Sequence, residues 1–179
     1  MKGSKHIFRP IHYYVDDSFY FITGSIYEGR KLLKSEYIKN KLFEYIHQYL
    51  MQFNWTLDHW VILDNHYHLL CKSHEGKDLS KIIQNIHRRS SFLIHKMTHC
   101  KKPVWYNYWD YCPRDEREYL IRLNYLLNNP VKHGYVTDLK NYKFSSFQKY
   151  FIRIGREALV KQFIEYSEYS ELKLDEDYY

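Results

Sequence analysis

Apolar positions along this 179-residue chain change their spacing several times, and each change marks an element. Phe19–Ile26 is rich in aromatic and β-branched residues and stops before Glu28-Gly29, which predicts a strand. Ile38, Leu42, Ile46, Tyr49 and Phe53 then recur at helical spacing, with Ser35 placed to cap a helix running to about Phe53. Two extended runs follow, Trp55–Leu63 and His66–Lys72, and the Asp64-Asn65 pair between them predicts a hairpin. A second helix is expected over Leu79–Met97, with Ile82, Ile86, Leu93 and Met97 along one side. Pro103 and the cluster Trp105-Tyr106-Asn107-Tyr108-Trp109 read as a loop. Asp115 is placed to cap a third helix, with Glu118 three residues on as in a capping box, and Pro130 should stop it. Val131–Val136 and Lys143–Tyr150 are expected as short extended or irregular pieces. The C-terminal end is expected to be an amphipathic helix followed by an acidic tail. Strands interleaved with helices around a directly joined hairpin give an α+β fold with a largely antiparallel sheet.

No internal repeat, low-complexity segment or flexible linker divides the chain, which predicts one domain over 1–153 with a short appendage over 154–179. The 27 Lys and Arg against 21 Asp and Glu leave a formal charge of +6, mildly favouring a polyanionic partner. Twenty Tyr, 10 Phe and 4 Trp supply flat faces on which unpaired bases can stack, although any one ring serves equally well as core filler. Cys71, Cys100 and Cys112 form no C-x-x-C pair, arguing against a disulfide framework and for a reducing cytoplasm. No apolar run approaches the roughly 20 residues that span a bilayer, and the start, Met1–Pro10, lacks the apolar stretch of a signal peptide. A soluble protein without a membrane partner is expected.

Two segments carry chemistry. His66-Tyr67-His68 opens a strand, where side chains two apart share a face at a spacing of about 7 Å, so both imidazoles can converge on one divalent ion. With 11 His in the chain, such a triplet also arises readily by chance. The third helix, Glu116–Asn129, has an apolar stripe of Leu120, Leu123 and Leu127 and a polar one of Glu118, Arg122, Tyr125 and Asn129. Residues four apart point the same way, so Tyr125 and Asn129 are partners on one face. An amide oxygen beside two imidazoles suits Mg²⁺ or Mn²⁺. An ordinary exposed helix end remains the competing reading.

These segments sit inside longer blocks. Asp58–Leu70 (DHWVILDNHYHLL), Val104–Leu120 (VWYNYWDYCPRDEREYL), Asn124–Val136 (NYLLNNPVKHGYV) and Lys143–Phe147 (KFSSF) arrive in one order across most of the chain. Together they resemble the single-tyrosine HUH transposases, most closely the REP-associated tyrosine transposases. Departures are Asp64 where proline is frequent, Tyr106 and Asn107 in place of the usual pair, Ser90 and Ser91 where some relatives place a tyrosine, and Asn129 where insertion-sequence relatives often have Gln.

The resemblance implies an HUH endonuclease fold, a ferredoxin-like antiparallel sheet with helices on one face. It implies His66, His68 and Asn129 as metal ligands, Tyr125 as nucleophile, and single-stranded or hairpin DNA as substrate. Cleavage would leave a 5′-phosphotyrosine, in a bacterial-type, nucleoid-associated protein acting as monomer or homodimer. The general base stays open, with metal-bound water, Lys132 and His133 as candidates. Arg88, Arg89, Lys101, Lys102, Arg114, Lys132 and His133 are candidate backbone contacts, and Trp105, Tyr108 and Trp109 are candidate stacking platforms, of which at least one is expected to pack in the core. A domesticated binder of structured single-stranded DNA or RNA, and a zinc hydrolase, are the alternatives. The second lacks an H-E-x-x-H helix.

Overall fold

The computed structural model describes residues 14–174, so the expectations for the N-terminal start and the acidic tail lie outside the described residues. Four strands form one antiparallel sheet: β1 (Phe19–Ile26), β2 (Thr56–Ile62), β3 (His66–Lys72) and β4 (Trp105–Tyr111), in the order β2-β3-β1-β4. Four helices pack on it: α1 (Glu36–Gln52), α2 (Leu79–Thr98), α3 (Glu116–Lys132) and α4 (Phe147–Glu165). The α+β class and the antiparallel sheet agree with the sequence reading.

The helices lie on both faces of the sheet, which corrects the one-face expectation. Side chains alternate along a strand. Tyr20, Ile22 and Ile26 of β1 and Tyr67, Leu69 and Cys71 of β3 therefore form one core with Ile38, Leu42 and Ile46 of α1 and Ile82, Ile83 and Ile86 of α2. On the opposite face Phe21, Val61 and Leu70 meet Leu123, Leu126 and Leu127 of α3 and Phe147, Tyr150 and Leu159 of α4. A four-stranded sheet with apolar residues on both faces needs a helical layer on each.

Other expectations also change. Trp105–Tyr111 is a strand paired with β1, not a loop; its aromatic residues suit a half-buried edge strand. Pro130 lies inside α3, which continues to Lys132; the proline forfeits its own ladder bond, and the turn beyond it closes through His133 N to Asn129 O at 3.0 Å. Val131 and Lys132 are thus helical. The C-terminal helix starts at Phe147, and Gly155 interrupts it with non-helical angles. Just before it, Phe144 and Ser146 pair by backbone bonds with Ile62 and Trp60, covering half of the outer edge of β2. Asp115 caps α3 as expected, its carboxylate accepting from Glu118 N at 2.8 Å. Ser35 occupies the cap position of α1, but its side chain makes no capping bond. Among the described residues no helix is long and apolar enough to cross a membrane.

One close approach sets the middle of the sheet. Gly24 pairs with Tyr67, and the Tyr67 ring lies where a Cβ on residue 24 would stand, 2.3–2.6 Å from its atoms. Only glycine lets that fully buried ring lie flat against β1. Gly24→Ala should therefore lower stability by about 1–3 kcal/mol, read as a reduced urea midpoint with unchanged m.

At the β2–α4 seam, buried His59 lies edge-on to Tyr150 at 4.9 Å, with Nδ1 3.2 Å from Ser146 Oγ. Burial pulls its pKa down to about 4, against the opposing pull of the Asp58 carboxylate. The unfolded chain, with a pKa near 6.5, then binds a proton that the folded one refuses. Stability from this group is full above pH 6.5 and is lost as pH falls toward 4, at up to about 1.4 kcal/mol per unit. Urea titrations at pH 7 and 5 should show this loss, and His59→Phe should flatten it.

Candidate active site

The α3 face of the sheet carries the chemistry. His66 and His68 alternate with Tyr67 on β3, so Tyr67 enters the α1–α2 core while both imidazoles turn toward α3. Tyr125 and Asn129, one helical turn apart, face them from above. All four are at most 1 % exposed. The His66 and His68 rings are 5.0 Å apart, and the Tyr125 ring is edge-on to His68 at 5.4 Å. Phe21 stacks on His68 at 5.2 Å and fixes the tilt of that ring.

His66 shows how the cluster is built. Its Nδ1 is 2.8 Å from Asn65 Oδ1 and its Nε2 is 2.9 Å from Asn129 Oδ1. A neutral imidazole has one proton and can donate to only one of these oxygens. With Nδ1–H given to Asn65, the Nε2 lone pair and the Asn129 oxygen face each other. Two ligand atoms about 2.1 Å from one metal and at right angles to each other stand about 3 Å apart, which matches this contact. With the amide oxygen turned inward, Asn129 could serve as an oxygen ligand beside the imidazole. His68 repeats the pattern, with Nδ1 2.9 Å from Thr23 Oγ1. Such outer hydrogen bonds hold each ring by Nδ1 and direct Nε2 toward α3, where it could meet a metal. Among the described residues no three His, Cys, Asp or Glu cluster at metal-binding spacing, so an amide would have to complete the set.

The phenol of Tyr125 accepts from Lys132 Nζ at 3.0 Å, and that ammonium also lies 4.4 Å from the ring centroid. His133 instead lies beside His66, ring to ring at 5.0 Å. Lys132, one of the general-base candidates, thus touches the tyrosine oxygen directly.

The remaining candidates divide. Arg88, Lys102 and Trp105 line one cavity of about 920 Å³ between α2 and β4, together with Gln84, Tyr106 and Asn107. Trp105 is nonetheless a core residue, 8 % exposed, with Nε1 donating to Ser90 and its face stacked on His87 at 4.3 Å. Trp105 is thus a ring in the core, as the sequence leads one to expect of at least one of the three candidates. Tyr108 and Trp109 are partly buried on β4. Arg89 turns to α1, bonding Gln48 at 3.0 Å and covering Tyr45. Lys101 is exposed beyond α2. Arg114 is committed to Glu118, whose carboxyl its guanidinium holds down at about 2. Thr23, Asn65 and the Lys132–Tyr125 contact were missed in the sequence. Inward alternation on β1 and adjacency to His66 were the available signals for the first two.

The family model described as IS200-like transposase matches residues 19–112, over half of the chain. The match contains His66 and His68 and ends before α3. The REP-associated tyrosine transposase of Escherichia coli is 26 % identical over 141 residues, covering 76 % of this chain and 81 % of that protein. A relative in Haemophilus influenzae is 26 % identical over 148 residues, covering 72 % and 83 %. A solved REP-associated tyrosine transposase bound to a REP hairpin shares the fold, with TM-score 0.68 at 24 % identity, over 81 % of this chain and 86 % of that one.

Proposed function

The chain belongs to the IS200-like transposase family, and on that premise we propose that it cleaves and rejoins single-stranded, hairpin-forming DNA through a 5′-phosphotyrosine at Tyr125. His66, His68 and Asn129 would hold Mg²⁺ or Mn²⁺. The observation that carries this reading is the convergence of His66 Nε2 on Asn129 Oδ1 at 2.9 Å, with the Tyr125 ring packed against the neighbouring His68. A hairpin substrate is supported by the similar transposase solved with a REP hairpin. The same reading keeps residues 1–153 as the transposase unit with 154–179 as its extension. It makes the protein a cytoplasmic, nucleoid-associated monomer or homodimer.

A free phenol has a pKa near 10 and is a poor nucleophile at neutral pH. The Lys132 ammonium at the Tyr125 oxygen lowers the cost of the phenolate. The phenol gives up its proton to solvent, its oxygen attacks phosphorus, the bond to the 3′-oxygen breaks, and that oxygen takes a proton from solvent to end the strand as a free 3′-OH. A bound divalent ion would polarise a non-bridging phosphate oxygen and offset the charge that develops there. The phosphotyrosine bond conserves the phosphodiester, so a second 3′-OH can reverse the step without a nucleotide cofactor. The nucleophile is nearly fully buried, so the cover over Tyr125 must open for a strand to enter. That burial also favours the second reading, a binder of structured single strands that does not cut.

With Mn²⁺ and 5′- or 3′-labelled hairpin DNA, the transposase reading gives an adduct that survives denaturing gels and disappears in Tyr125→Phe. Retention of the adduct in that variant sinks Tyr125 as nucleophile, and binding without any adduct supports the second reading. Mn²⁺ at a hundredfold excess over its Kd should raise stability by about 2.7 kcal/mol. His68→Ala or Asn129→Ala should abolish most of that gain, measured as a Tm shift.

A further inference from the structure

Lys39 is a buried lysine outside every sequence motif. Its Nζ donates to Asp64 Oδ1 at 2.8 Å, with side-chain exposures of 6 % and 15 %. Tyr142 OH lies 3.3 Å from the same nitrogen, and the rings of Phe144, Tyr142 and Tyr135 surround it at 5.0, 5.6 and 5.9 Å. Burying an ammonium this deeply is costly unless the partners are fixed, so the cage and the carboxylate constrain one another.

What the cage holds is the turn that enters the histidine strand. Asp64 and Asn65 are the only residues between Leu63 and His66. The Asp64 carbonyl accepts from Leu33 N at 2.8 Å, and the Asn65 carbonyl from Ile26 N at 2.7 Å. The Asn65 side chain then contacts His66 Nδ1 at 2.8 Å and so holds that edge of the imidazole in place. On the far side, Asp64 N donates to Tyr135 OH at 3.3 Å, while Tyr135 N donates to Pro130 O at 2.9 Å, one residue beyond Asn129. Tyr142 OH donates to Ile62 O at 2.8 Å and ties the cage to β2. A continuous chain of contacts thus runs from α1 through the turn to the end of α3.

We propose that the Lys39–Asp64 pair is a positioning clamp. It sets the orientation of His66 and its distance from Asn129, while touching neither substrate nor metal. For metal affinity this rests on the metal-site reading above; for the orientation of His66 it does not.

The test separates position from stability. Lys39→Met strands a carboxylate in the cage, whereas Lys39→Met/Asp64→Asn removes both charges and spares that penalty. Three quantities are read on each protein: Tm, Mn²⁺ affinity by electron paramagnetic resonance, and the His66 imidazole ¹⁵N shifts of the metal-free protein. The clamp predicts that the single variant loses Tm and that the double variant regains most of it. In the double variant Mn²⁺ affinity stays at least about tenfold weakened and the His66 nitrogens remain shifted. Recovery of affinity and of the His66 shifts together with Tm would overturn it. If the native protein binds no Mn²⁺, the metal-site reading fails, and the His66 shifts alone decide the clamp: native values in the double variant sink it.

Discussion

Four polar side chains from two elements are packed at the middle of the α3 face with almost no solvent contact, and the structure is arranged to make that tolerable. Two imidazoles, an amide and a phenol could not be left there without partners, since each unmet polar group in such a place costs on the order of 1–3 kcal/mol. Asn65 and Thr23 take one nitrogen of each histidine, and Lys132 meets the phenol. The remaining nitrogen of His66 meets Asn129 Oδ1 at 2.9 Å, so nitrogen and oxygen donor atoms converge between β3 and α3. Polar burial here is better understood as preorganisation than as stabilisation.

The sheet makes this placement possible by asymmetry between its faces. Period-two alternation sends Tyr67 into the α1–α2 core at the same step that sends His66 and His68 toward α3. Gly24 admits the Tyr67 ring, and the ring in turn fixes the register in which Thr23 opposes His68 and Ser25 opposes His66. A one-residue slip of β3 would exchange the faces, burying Tyr67 among polar groups and the histidines in the apolar core. The site geometry is therefore inherited from a packing constraint on the opposite face.

Much of this was legible in the chain. The strand and helix periods placed β1, α1, the β2–β3 hairpin and α2, and the helical spacing of Tyr125 and Asn129 put them on one face. The failures have local causes. The Trp105–Tyr111 segment is mostly aromatic, broken by Asn107 and Asp110 at odd spacing, so it shows no alternation, and its pairing with β1 is what reveals a strand. Pro130 predicts a stop, but α3 passes through it with the loss of one backbone bond and closes a turn later at His133. Helices on the second face could not be foreseen from a resemblance naming one. The contacts that tune the site, from Thr23, Asn65 and Lys39, join residues 45, 1 and 25 positions from their partners. Except for Asn65, such separations leave no trace in local pattern, because the partners meet only through the folded sheet.

The central claim is that the polar cluster is a cation site poised beside a tyrosine nucleophile. Its most direct measurement is anomalous X-ray scattering from crystals of the protein grown with Mn²⁺. The account predicts a manganese peak coordinated by His66 Nε2, His68 Nε2 and Asn129 Oδ1, with the Tyr125 hydroxyl facing an open coordination position. A fully occupied manganese elsewhere, with His66 and Asn129 still joined by their direct contact, would contradict it.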